Sequence, residues 1–93
     1  MMDKYAWQAA SYYSAKRIIA RKYRAKAFLA EELLREVIKD IGETYDLRSF
    51  GGTIRSLSAD GFIRRNGYAA AKSSNGSIKP VWVRVPKWSA KTK

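Results

Sequence analysis

The sequence predicts an α+β domain in which three helices precede a two-stranded β-hairpin. Three observations predict it. There is no Gly or Pro from residue 1 to 41, and apolar residues in that stretch recur at helical steps. Leu47, Phe50, Ile54 and Leu57 are spaced 3, 4 and 3, one clean apolar face on a further helix. After Gly61 the period becomes extended, and Asn75-Gly76 gives a strong hairpin turn between two runs.

The first helix is expected over residues 3–23, with Asp3 as its cap. Tyr5, Ala9, Tyr12, Ile19 and Tyr23 form its stripe. Core packing is the simplest account of that stripe, and pairing with a second copy of the chain is the rival. Residues 24–29 break the helix, with Phe28 in a short extended piece.

Residues 30–41 (AEELLREVIKDI) are the second helix. Leu33, Leu34, Val37, Ile38 and Ile41 make its apolar face, and Glu31, Glu32, Glu36 and Asp40 lie on the other. Two Glu in the first turn suit the positive end of the helix dipole, and Gly42 is the stop signal. The third helix runs over residues 47–59, with Asp46 as N-cap and Gly61 as left-handed cap. Gly51-Gly52 within it implies either a close approach to a phosphate or to the second helix, or a helix that starts later, near Gly52. A strand follows over residues 62–71, kinked at Asn66-Gly67. Residues 72–77 (KSSNGS) form the turn. The return strand spans 78–85, where Val81, Val83 and Val85 alternate with Trp82 and Arg84, and Pro86 ends it. The domain is thus 1–86, and 87–93 (KWSAKTK) is a basic disordered tail.

Composition narrows the function. The 93 residues hold 19 Lys and Arg against 8 Asp and Glu, a net charge of +11, with no His and no Cys. That removes a structural zinc site, a thiol nucleophile, a Ser-His-Asp triad and a disulfide scaffold. No enzyme activity, cofactor or metal is expected. The longest apolar runs are three or four residues, far from the roughly 20 of a membrane span. The first 26 residues are studded with Lys and Arg, so they hold no signal-peptide core. The expectation is a single-domain intracellular protein.

The charge is segregated. Residues 16–26 hold six basic residues and no acid, residues 31–46 hold six acids against Arg35 and Lys39, and residues 61–93 hold eight basic residues and no acid. Separated blocks suggest one face built for a polyanion.

Helix, helix, turn, helix and hairpin is the order of a winged helix-turn-helix. The third helix has one apolar face to dock, and a small, basic face carrying Arg48, Ser49, Gly52, Thr53, Arg55 and Ser56. A slim face suits the DNA major groove, about 12 Å wide, and Arg48 and Arg55, two turns apart, can reach guanine edges or phosphates. Arg64, Arg65, Lys72, Ser73, Ser74, Asn75 and Lys79 are the candidate wing contacts to the backbone or minor groove. Arg17, Arg21 and Arg24 share a face of the first helix and are candidate backbone contacts.

From about Asp3 to Val85 the chain resembles the small winged-helix proteins of bacteriophages and prophages, often encoded beside replication or early regulatory genes. The resemblance rests on the Ala-rich first helix, on FLAEELLREV, on RSFGGTIRSLSADGFI, and on GY followed by a polar loop and PVWVRV. Two features depart from the family pattern: Leu29 stands where it usually has a Thr or Ser cap, and the wing tip is KSSNGS instead of a His- and Arg-bearing loop. The resemblance implies a winged-helix fold, double-stranded DNA as partner, roles in transcription regulation or DNA replication, and a cytoplasmic location, in the nucleoid or a host-cell cytoplasm.

Other readings remain open. An RNA- or ribosome-associated winged helix would use Tyr68, Trp82 and Trp88 to stack on bases. A protein-interaction module would recruit a partner through the acidic second helix. A membrane-surface role would lay Trp7 and several Tyr on anionic lipid.

Overall fold

The computed structural model describes residues 4–44, 48–70 and 78–85. The element order is α1 (Lys4–Lys22), β1 (Phe28–Leu29), α2 (Ala30–Ile41), α3 (Ser49–Ala59), β2 (Ile63–Ala70) and β3 (Ile78–Arg84). The class is α+β, as expected, but the sheet has three antiparallel strands, in the order β1-β3-β2. The expected two-stranded hairpin gains a third member because Phe28 and Leu29 pair with Trp82 and Val81 on the free edge of β3. Two residues are too few for an alternating pattern to register in sequence.

The register of α1 also differs from expectation. Tyr5 is 76% exposed, and Ala9 lies at the surface too. The buried side carries Trp7, Ser11, Ser14, Ala15, Ile18, Ile19 and Tyr23. Small residues at 11, 14 and 15 let α2 and α3 both approach α1 closely. The buried hydroxyls are satisfied: Ser14 donates to Asp40 of α2 at 2.7 Å, and Ser11 donates to the Gln8 carbonyl at 2.8 Å. Trp7 is fully buried, its indole N–H donates to the Gly42 carbonyl at 2.8 Å, and its ring meets Phe50 edge-on. The membrane-surface reading placed Trp7 on lipid, and its burial between three helices removes that anchor.

In α2, Leu33 and Val37 are buried while Leu34, Ile38 and Ile41 are half-buried against the core. Leu29 precedes the helix with no polar side-chain atom to cap it. Glu32 serves the reciprocal half of the motif, its carboxylate accepting the Leu29 N–H at 3.0 Å. The caps expected from Asp3 and Asp46 lie outside the described residues, as do Leu47 and the basic tail.

In α3 the helix runs through both glycines from Ser49, so the later start near Gly52 does not hold. The close approach is to α1: a Cβ on Gly52 would stand 2.3 Å from Gln8 Nε2. Phe50, Ile54 and Leu57 are buried as their spacing predicts. Gly61 turns the chain at φ +80°, and the N–H of Phe62 closes onto the Leu57 carbonyl at 3.0 Å. In β2 the kink is a bulge, with a register shift between Arg65 and Tyr68 and Gly67 at φ +91°. No helix among the described residues is long and apolar enough to cross a membrane.

Candidate nucleic-acid interface

The surface of α3 follows from what its other sides bury. Phe50, Ile54 and Leu57 face the core, and α1 covers a second side. Thr53 is 1% exposed and Ser49 8%, and Gly52 lies under Gln8. The expectation that Ser49, Gly52 and Thr53 share the outward face is therefore corrected: they form the seam with α1. Their small size serves helix packing, which imposes the same composition as groove insertion.

The outward face of α3 carries Arg48, Gly51 and Arg55, at steps of 3 and 4, continued by half-buried Ser58. Among the described residues, no atom lies within 4 Å of where a Cβ on Gly51 would stand, so the face is open and flat at its centre. Ser56 is exposed but turns toward α1, where it lines a hollow with Tyr5, Gln8, Tyr12 and Asp60. In that hollow the Tyr12 hydroxyl donates to the Asp60 carboxylate, and this bond, with burial and the Asp60 charge, pushes the Tyr12 phenol up to about 12.

The strands divide the two adjacent arginines. Arg64 and Arg65 are both exposed, but consecutive strand residues point to opposite faces. Arg65 stands opposite Trp82 in the ladder and on the same face as buried Ile63, and Arg64 stands opposite Val83 on the other face. The Arg65 guanidinium lies 5.7 Å from the centre of the Tyr68 ring, which is 60% exposed. Trp82 and Arg55 line one groove between α3 and β3. The described part of the hairpin thus brings Arg65, Tyr68 and Trp82 to the side where α3 presents Arg55. Lys79 is exposed on β3 opposite Ala69. Lys72, Ser73, Ser74 and Asn75 lie outside the described residues.

The basic patch of α1 is directed elsewhere. Arg17 pairs with Asp40 of α2 at 2.7 Å, and Lys22 pairs with Glu36 at 2.8 Å. Arg21 is exposed beside Arg17 and lines a hollow with Glu36 and Asp40, and Arg24 is exposed beyond the helix end. The Ser14 hydroxyl and the Arg17 guanidinium hold the Asp40 carboxyl below its usual range, and the Lys22 ammonium does the same for Glu36. The acidic helix was expected to stand apart or meet a partner. Two of its carboxylates instead meet α1.

Two further cations flank one ring. The Lys16 ammonium is 5.2 Å and the Arg84 guanidinium 5.4 Å from the centre of the buried Phe62 ring, and Arg84 Nε is buried with no hydrogen-bond partner among the described residues. Sequence reasoning missed the placing of Gly51 and Trp82 at the α3–β3 groove. The alternation of three valines with Trp82 and Arg84 was visible, but one set is wholly apolar and the other joins a large aromatic to a cation, so the pattern did not say which faced the helices. Comparison with known proteins finds no matching family model, no matching curated protein and no matching solved structure.

Proposed function

We propose that the chain is a non-catalytic winged-helix protein that binds double-stranded DNA, with α3 in the major groove and the β2–β3 hairpin on the backbone or minor groove. The element order, with β1 and β2 flanking β3, is compatible with a winged helix. The observation that carries the reading is the outward face of α3. Arg48 and Arg55 stand two turns apart on either side of Gly51, where no atom of the described residues blocks approach. Residues 48–85 hold seven basic residues and one acid, Asp60, which keeps the field of this half positive. Arg65 and Lys79 extend that field onto the hairpin. In this reading the cytoplasmic role is that of a phage-type regulator or replication accessory factor, and a second copy would pair through exposed Tyr5 and Tyr13 of α1.

Structured RNA is the second reading. The exposed Tyr68 ring with Arg65 over it is a surface on which an unpaired base can stack. Fluorescence anisotropy with labelled duplex DNA, duplex RNA and single-stranded DNA across salt concentrations separates the two. Duplex DNA binding that survives excess structured RNA, with a log–log salt slope of about −5 for roughly six phosphates, supports the first. Displacement of DNA by RNA at equal salt supports the second. Weak binding to all three at moderate salt contradicts both.

A further inference from the structure

A groove with a volume of about 360 Å³ lies between the start of α2, the first half of α3 and β3. Leu34, Phe50, Ile54, Pro80 and Trp82 form its walls, and Gly51 is on its lip. It continues along α3 past Arg55, with Trp82 still in the wall. Its rim is mainly cationic. Lys79 and Arg55 line it and Arg65 stands opposite Trp82, while Glu31 is the single acid among the lining residues.

We propose that this groove binds a short protein segment that carries one large apolar anchor side chain flanked by acidic residues. The volume accepts one such side chain, and the walls offer it aliphatic and aromatic contact. The rim selects the flanks, because Lys79, Arg55 and Arg65 attract carboxylates and repel cations. The same charge argument disfavours the other occupants. The chain's own residues 87–93 contain three Lys and no acid, and a second copy is net cationic, its acidic helix α2 turning Leu33, Leu34, Val37 and Ile38 into its own core. A nucleobase would set its polar edges against apolar walls and lose hydrogen bonds to water. The site does not depend on the DNA reading. Gly51 and Arg55 also belong to the face proposed to meet DNA, so an acidic segment in the groove would displace duplex DNA.

The test is selection of a random dodecapeptide display library on the full chain, followed by titration of the enriched peptides as synthetic probes. Enriched peptides carry Trp, Phe or Leu bordered by Asp or Glu. Gly51→Gln leaves the charge unchanged and places its Cβ where no atom of the described residues lies within 4 Å, so its amide can extend over the groove without displacing the helix, and a melting curve checks that the fold is retained. That variant weakens the probe at least tenfold, and Lys79→Glu weakens it as well. Probe affinity untouched by Gly51→Gln overturns the proposal, since the peptides are then held by surface charge alone. A library yielding no apolar anchor overturns it too. So does concentration-dependent self-association that Gly51→Gln abolishes, or single-stranded DNA protecting Trp82 in the parent but not in that variant. Duplex DNA affinity, measured on the same proteins without peptide, tests the DNA reading separately.

Discussion

The hydroxyl oxygens of Ser11 and Thr53 lie 2.6 Å apart, buried between α1 and α3. This pair decides which side of α3 is inward and therefore which side is left for a partner. Removing one hydroxyl deletes a buried hydrogen bond while the other keeps the Gln8 carbonyl as acceptor, at a cost of about 0.5–1.5 kcal/mol. Thr53→Ala is expected to lower the urea midpoint accordingly. The folded variant is expected to bind duplex DNA as the parent does, because Thr53 touches α1 and not the outward face. Losses in Ser11→Ala and Thr53→Ala that add in the double variant would show that the two hydroxyls do not interact.

The two adjacent glycines of α3 are expected to respond differently. Gly51→Ala places a methyl in open space and gains about 1 kcal/mol of helix propensity. Gly52→Ala drives its methyl to 2.3 Å from Gln8 Nε2, so the end of that side chain must move first. Thermal melts of the two variants are expected to rank Gly51→Ala above Gly52→Ala.

Alkaline stability reports on Tyr12. Its phenol, raised to about 12 by the bond to Asp60, keeps its proton in the folded state where the unfolded chain loses it near 10. The folded protein binds more protons in that window, so this contribution is complete below pH 10 and is lost as pH rises through 12. Urea midpoints are expected to fall less between pH 10 and 12 in Tyr12→Phe than in the parent.

The acid limb reports on the seam between α1 and α2. Asp40 and Glu36 are both held below the usual carboxylate range, so their contribution is present above the unfolded carboxylate pKa and lost as pH falls through the lower folded value. Asp40→Asn is expected to flatten the drop in stability below about pH 4. Both pairs are solvent-exposed, so the effect is small and shrinks in salt.

Much of this fold was legible because long periodic segments carry strong signals. The face of Phe50, Ile54 and Leu57, the cap at Gly61 and the kink at Asn66-Gly67 were all read from spacing and turn chemistry. The buried side of α1 was legible only at its C-terminal half, where Ile19 and Tyr23 are buried, because a count of apolar residues passes over Ser11 and Ser14, which are buried with their hydrogen-bond partners. The short extended piece at Phe28 was read, but its place in the sheet was not, because it depends on Trp82 and Val81, more than fifty positions away. At the site, Arg48 and Arg55 were legible from their seven-residue spacing. Ser49, Gly52 and Thr53 were misplaced because a small, polar helix face reads the same whether it meets a ligand or another helix.

The central claim is that DNA is held by the outward face of α3 and not by net charge alone. Duplex DNA anisotropy on two charge-matched double variants tests it, Arg48→Gln with Arg55→Gln against Arg17→Gln with Arg21→Gln. Each pair removes two positive charges, but the first lies on the open face of α3 and the second faces α2. The account predicts that the α3 pair loses at least about tenfold in affinity, since each direct contact is worth roughly 1–3 kcal/mol, while the α1 pair loses much less. Equal losses, or a larger loss from the α1 pair, would contradict it.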